Sequence, residues 1–266
     1  MKAMVLCAGY GTRLGELTRE TPKPMLPLHG HPMLAYILGH LKSHGFDEIA
    51  INLHFQPQAI QSSFGDGSRE NLKLTYAYEP ELRGTAGGVK NLEHFFRSEE
   101  AFLVHYGDVI TDEDFTAMLR FHHERRALAT LLLHQRAKSN SIVTLAPDGR
   151  ITGFLERPTD AARQGQTSRW VNSGICICHA DILEPIPTQI PADLPRDVFP
   201  KLIHTGRLYG YPLTGYRCAI DSPERLAEAR LALLEGRCRV HPVSTVDQSK
   251  DQISKPRPEL GPGSQI

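Results

Sequence analysis

The stretch LCAGYGTRL, Leu6–Leu14, follows directly on AMVL, a run with the character of a buried strand. Glycine has no Cβ, so a loop built on Gly9 and Gly11 can adopt φ > 0 and aim successive N–H groups at an anion. Arg13 adds a planar, permanently charged fork suited to phosphate. The spacing excludes two common phosphate loops. No G-x-x-x-x-G-K-[ST] run starts at Gly9 or Gly11, and a G-x-G-x-x-G fingerprint would need glycine where Leu14 stands, Gly15 coming one place late. The stretch therefore reads as a phosphate loop of a third kind, at the end of a first β-strand.

Outward from this loop, the first half of the chain alternates strand and helix. KAMVLCA, EIAINL, KLTYAYE and AFLVHYGDV have strand character; MLAYILGHLKSHG, QAIQSSFGDG and AGGVKNLEHFF supply helices and turns between them. Such alternation predicts right-handed βαβ units and a mixed, mostly parallel sheet flanked by helices. After Asp108 the pattern changes to a helix (FTAMLRFHHERR), a strand (ATLLLHQ), a hairpin turning at Asp148–Gly149, and further strands in WVNSGICIC and RLYGYPLTGYRCAID. SPERLAEARLALLEGR closes the domain as a helix, with Ser222 at its N-cap, Pro223 at the first helical position and Gly236 at its end. The proline-containing, apolar-poor remainder predicts a flexible tail. The expected organisation is one domain over 1–238 and a tail over 239–266.

Lys+Arg and Asp+Glu both total 30 in 266 residues, so no global field draws nucleic acid or a membrane surface, and an anion site must be local. No stretch approaches the ~20 apolar residues of a membrane span, and the N-terminal apolar run is too short for a signal peptide. A cytoplasmic protein is the simplest expectation. The five cysteines (Cys7, Cys176, Cys178, Cys218, Cys238) form no CxxC pair, which argues against zinc and a disulfide framework. Cys176 and Cys178 read as core thiols. His40 and His44 have metal-compatible spacing, but without an HExxH context they read as a solvated helix face. The run Glu124-Arg125-Arg126 reads as a solvated helix end.

Four pieces carry chemistry. The first is the loop Ala8–Leu14. The second is TPKPML, in which Pro22 and Pro24 hold Lys23 on a stiff, extended backbone that limits the entropy lost on binding an anion. The third is YGDV, which places Asp108 at the carboxyl end of a strand, where open parallel sheets bind ligands. The fourth is FLERP, pairing Glu156 with Arg157.

Taken in order, LCAGYGTRL, TPKPMLPL, GTAGG, GDV, FLERP, VNSG and DVFPKLI resemble the sugar-1-phosphate nucleotidylyltransferases, most closely the mannose- and heptose-1-phosphate guanylyltransferases. The resemblance implies a Rossmann-like nucleotidyltransferase fold and a Mg²⁺-dependent reaction. A sugar 1-phosphate oxygen attacks the α-phosphorus of an NTP, GTP being the first choice, and pyrophosphate leaves. It also assigns roles. Leu6, Ala8, Gly9, Tyr10, Gly11 and Thr12 would bind the nucleotide, and Arg13 would neutralise the leaving pyrophosphate. Lys23 would bridge the α-phosphate and the acceptor phosphate. Gly84, Thr85, Ala86 and Gly87 would lie against base and ribose, where missing side chains make room. Glu156 would accept from sugar hydroxyls, Arg157 would bind the sugar phosphate, and Asn172 and Gly174 would line the sugar side. Asp108 would hold Mg²⁺.

Two positions depart from the family pattern. Arg157 stands where lysine is usual, which keeps the charge and permits a bidentate contact. Ala219 stands where many relatives carry a second metal-binding Asp; Asp221, two residues on and on the same side of an extended segment, is the expected replacement. The partners implied are an NTP and a sugar 1-phosphate, with neither nucleic acid nor membrane, and a homodimer is left open. UTP with a hexose or amino-sugar 1-phosphate is the alternative substrate pair. A non-catalytic nucleotide-sugar sensor is the alternative of another class, favoured by Ala219 and opposed by the retention of Arg13, Lys23 and Asp108.

Overall fold

The computed structural model describes residues 1–136 and 140–246. A nine-stranded sheet forms the centre. Its strands are β1 (Lys2–Leu6), β2 (Glu48–Leu53), β3 (Lys73–Tyr78), β4 (Ala101–Tyr106), β5 (Ala129–Gln135), β6 (Ser141–Leu145), β7 (Ile151–Glu156), β8 (Trp170–His179) and β9 (Leu208–Pro212). Spatially they run β7-β6-β8-β4-β1-β2-β3, with β5 and then β9 joined to β8. The first four are mutually parallel; β8 is antiparallel to β4, and β6 and β7 form the hairpin.

Alternation along β1 shows why the sheet is covered on both sides. Ala3 and Val5 belong to one apolar cluster and Met4 to the other, because successive side chains of a strand point to opposite faces. The helices α1 (Met33–Ser43), α2 (Pro57–Phe64) and α3 (Gly84–Asn91) are the crossovers between the parallel strands, α4 (Phe115–Glu124) precedes β5, and α5 (Pro223–Leu234) follows β9. Ser222 Oγ caps α5 by accepting from Arg225 N–H, and Gly236 follows at φ +70°. No described helix is long and apolar enough to cross a membrane. The five cysteines are buried free thiols, Cys176 and Cys178 with their Sγ atoms 3.5 Å apart.

The structure corrects three sequence expectations. His40 is buried, its Nε2 2.9 Å from the carbonyl of Glu113, and its ring packs against Phe115 and His44; this face of α1 meets α4 rather than solvent. Lys23 opens a single 3₁₀ turn, Lys23–Met25, between Pro22 at φ −58°, ψ 139° and Leu26 at φ −60°, ψ 133°, so the residues flanking the turn are extended and Lys23 is not.

The third correction concerns the expected boundary at residue 238. Val240 and Val243 are buried, Val243 N–H donates to Ala35 O at 3.0 Å, and Val246 N–H donates to Ser63 O at 2.8 Å. The strap 239–246 thus crosses α1 and α2. It crosses at Gly39, where a Cβ would stand 2.0 Å from His241 O. Three valines, Val240, Val243 and Val246, among polar residues and proline are too short a pattern to announce such a contact. The remainder of the expected tail, 247–266, lies outside the described residues.

Candidate active site

The parallel strands occur in the order β3-β2-β1-β4, so the chain leaves β1 in one direction and returns to its other side at β4. In open α/β sheets, the crevice beyond the carboxyl ends of strands at such a reversal is where ligands bind. Here a cavity of about 360 Å³ opens at that point. Its walls come from the loop after β1 (Leu6, Ala8, Gly9, Gly11, Thr12, Arg13), from Lys23, from Gly84 and Thr85 at the start of α3, and from Tyr106, Gly107 and Asp108 after β4.

Gly11 has φ +68°, whereas Gly9 keeps an ordinary φ and a Cβ there would meet nothing within 4 Å. The N–H groups of Gly9, Tyr10 and Gly11 donate to no protein acceptor among the described residues. Gly11 is also where two sequence pieces meet, because a Cβ there would lie 3.1 Å from Lys23 Cβ. Lys23 Nζ in turn bonds Asp108 Oδ2 at 2.5 Å. Tyr10 is exposed and outside the cavity wall, its hydroxyl 2.6 Å from His54 Nε2.

The GTAGG segment is used differently from expectation. Ala86 and Gly87 are buried, and both N–H groups donate to Ala192 O. A Cβ on Gly84 would sit 2.4 Å from the same oxygen, and one on Gly88 would lie 3.0 Å from Asn52 Nδ2 and from Glu79 Oε1. The missing side chains make room for protein, and only Gly84 and Thr85 face the cavity.

Several wall residues escaped the sequence reading. Asn52, inside β2, accepts from Cys7 N–H at 2.8 Å and donates to Glu79 Oε1 at 2.9 Å; Glu79 Oε2 accepts from Arg83 N–H at 3.0 Å. A polar residue within the apolar run EIAINL was the available signal. Asp193 Oδ1 accepts from Thr85 N–H at 3.1 Å across 108 positions, for which the local sequence carries no cue. Gly107 is required by close approach: a Cβ there would stand 2.6 Å from Cys7 Sγ and 2.7 Å from Leu6 O. Burial, reinforced by the nearby Asp108 charge, pushes the Cys7 thiol well above its ordinary pKa, so it stays a thiol at neutral pH.

The expected sugar-side residues adjoin this cavity without lining it. Gly174, at φ +80°, packs on the Tyr106 ring, where a Cβ would be 3.1 Å away; Asn172 Oδ1 accepts from Gly174 N–H. Glu156 is partly buried, and burial raises its carboxyl pKa while Arg157 opposes the shift. Arg157 itself has φ +47° and is 75% exposed, with Nε 3.9 Å from Glu156 Oε1.

The pairing of Val109–Thr111 with Arg217–Ala219 brings Asp221 towards Asp108: Ala219 is opposite Val109, and Ile220 N–H donates to Asp108 O at 2.8 Å. Asp221 Oδ2 lies 3.6 Å from Arg13 Nη1. Among the described residues, no group of three or more His, Cys, Asp or Glu side chains converges as a metal centre. Mg²⁺ does not need one, since it is commonly held by one or two carboxylates together with phosphate oxygens and waters. Two carboxylates beside a phosphate-type loop are a donor set of that kind.

Fold and crevice together define a doubly wound α/β protein with a cavity at its switch point, walled by the glycine loop, Lys23 and Asp108. A family model described as nucleotidyl transferase matches residues 2–219, and the chain belongs to that family. It is 34% identical over 220 residues to the UTP–glucose-1-phosphate uridylyltransferase of Synechocystis sp., covering 77% of this chain and 56% of that protein. It is 31% identical over 238 residues to the mannose-1-phosphate guanylyltransferase of Mycobacterium tuberculosis, covering 88% and 65%. The chain thus spans less than two thirds of the length of these two relatives, one a uridylyl- and one a guanylyltransferase. Among solved structures, HddC from Yersinia pseudotuberculosis superposes with a TM-score of 0.71 at 22% identity, covering 87% of this chain and 99% of that one. A Bacillus anthracis structure in complex with sucrose superposes at 0.77 and 20% identity, covering 87% and 94%. Both likenesses concern the fold.

Proposed function

We propose that this chain transfers a nucleotidyl group from an NTP to a sugar 1-phosphate, giving an NDP-sugar and pyrophosphate. The observation that carries the reading is the convergence of the Gly9–Arg13 loop, Lys23 and Asp108 on one crevice. The free N–H groups and Arg13 suit the β- and γ-phosphates. Lys23, fixed by its turn and by Asp108, suits the α-phosphate, where charge accumulates as the acceptor oxygen attacks. Asp108 and Asp221 would hold Mg²⁺, which when bound neutralises phosphate charge. Phosphoryl chemistry of this kind asks for positioning and charge stabilisation rather than a covalent nucleophile, and the neutral Cys7 thiol agrees with that demand.

For the base, GTP stays the first choice on the resemblance of LCAGYGTRL and GTAGG to the guanylyl branch, and UTP is the alternative. Ala219, which removes a carboxylate from the metal side, is the one feature favouring a sensor. The test is pyrophosphate release with Mg²⁺, crossing five NTPs against mannose, glucose, heptose and N-acetylglucosamine 1-phosphates. Release that requires both GTP and a sugar phosphate is the expected result; release with UTP would reassign the base. Silence across the grid, with an NDP-sugar still raising the melting temperature, would overturn the enzyme in favour of the sensor.

A further inference from the structure

In the strand Arg217–Ala219, Cys218 is buried, whereas Arg217 and Ala219 share the partly exposed side; Asp221 lies beyond the strand, its N–H donating back to Ala219 O at 3.2 Å. The strand pairs alongside Val109–Thr111. Asp221 meets Arg13 of the phosphate loop. Arg217 reaches β8. Its Nε and Nη2 donate to Ser173 O at 3.2 and 2.9 Å, between Asn172 and Gly174 where the β8–β5 ladder is interrupted. Gly174 lies on the Tyr106 ring, and Tyr106 is a wall of the cavity. The guanidinium therefore occupies the seam between the nucleotide crevice and the expected sugar side.

What Arg217 lacks is a counter-ion. Among the described residues no carboxylate lies within ion-pair distance, and Nη1 has no protein acceptor. Burial works against its charged form most strongly; Asp108 and then Cys218 favour that form, and Arg225 and Arg136 oppose it more weakly, while one Asp108 oxygen is already bonded to Lys23. Arg225 has its own partner in Glu228 at 2.6 Å. A half-buried cation with no ion-pair partner in reach is costly unless an anion completes it, and the planar fork matches phosphate oxygens.

We propose that Arg217 binds the phosphate of the sugar 1-phosphate acceptor, from the β8 side of the crevice and opposite the Gly9–Arg13 loop. The assignment rests on the nucleotidyl transfer proposed above. It gives the acceptor phosphate an anchor fixed by two hydrogen bonds, whereas the solvent-facing Arg157 has only a long contact to Glu156.

The experiment is steady-state kinetics of the full chain with GTP and mannose 1-phosphate, or the active pair from the grid, for the wild type, Arg217→Gln and Arg217→Lys. Loss of a charge-assisted contact in Arg217→Gln should raise KM for the sugar phosphate by about 30-fold and leave KM for the NTP within about threefold. Arg217→Lys, which keeps the charge without the fork, should lie between. Inorganic phosphate should inhibit the wild type competitively against the sugar phosphate and inhibit Arg217→Gln much less. An unchanged acceptor KM, or an equal rise in the NTP KM, overturns the assignment. If Arg217→Gln does not fold by thermal melting, Arg217→Lys decides through the same split, and an acceptor KM at the wild-type value overturns the proposal. A wild type silent with every pair overturns the proposed function and this assignment together; an active wild type indifferent to residue 217 overturns this assignment alone.

Discussion

Lys23 Nζ lies 2.5 Å from Asp108 Oδ2, joining side chains 85 positions apart in the chain. The lysine side chain is 13% exposed and the aspartate 32%, so the pair is sheltered at the floor of the crevice yet open to a ligand. In the proposed reaction, a phosphate bound beside Lys23 would compete for its ammonium and release a carboxylate oxygen of Asp108.

Asp108→Asn and Lys23→Ala should each lower kcat for pyrophosphate release by about 10²–10³, the usual loss when a charge-stabilising group is removed from a preorganised site. Their effect on stability should be small, about 1 kcal/mol, because the pair borders solvent. Urea melts beside the kinetics check both; a large stability loss with intact kcat would make the pair structural.

Gly107 and Gly9 should respond in opposite ways to alanine. A Cβ on Gly107 collides with Cys7 Sγ and the Leu6 carbonyl, whereas one on Gly9 meets open space. Gly107→Ala should destabilise by about 1–3 kcal/mol as β1 and β4 are forced apart. Gly9→Ala should leave the melting temperature unchanged and raise KM for the NTP. Thermal melting and nucleotide titration separate the two.

Buried neutral histidines predict a stability that falls in mild acid. Burial lowers the pKa of His40 to about 4 and those of His105 and His122 to about 3, from the ordinary 6.5. Between pH 6.5 and 4 the unfolded chain binds more protons than the folded one, so this contribution is complete above pH 6.5 and is lost as pH falls. Each histidine should cost about 1 kcal/mol between pH 7.5 and 5.5. Urea midpoints at the two pH values measure the sum, and His122→Gln should shallow the slope; an unchanged midpoint would contradict the burial.

The strap over α1 should be separable from the site. Gly39→Ala places a methyl against the backbone oxygen of His241, which cannot yield as a flexible side chain would, and Val243→Asp buries a charge. Each should lower stability by about 2 kcal/mol, with KM values unchanged. Amide exchange at Val243 and Val246, whose N–H groups are bonded to Ala35 and Ser63, should accelerate in both.

The sequence by itself determined the order of the βα units, the glycine turn at Gly11 and the cap at Ser222, and it singled out Gly9–Arg13, Lys23 and Asp108, which meet at one crevice. These are legible because each rests on local physics: side-chain periodicity, φ > 0 at glycine, and the carboxyl end of a strand. Only the tertiary structure decided that GTAGG packs against Ala192, that Asn52 and Glu79 wall the crevice, that Asp193 reaches Thr85, and that 239–246 crosses Gly39. It also decided that Arg217, in a strand paired alongside Val109–Thr111, reaches Ser173, and that Asp221 beyond that strand meets Arg13. Those relations join residues from about 30 to 200 positions apart through ladder register and close backbone approach, and no local pattern encodes which distant segment will fill the space a glycine leaves.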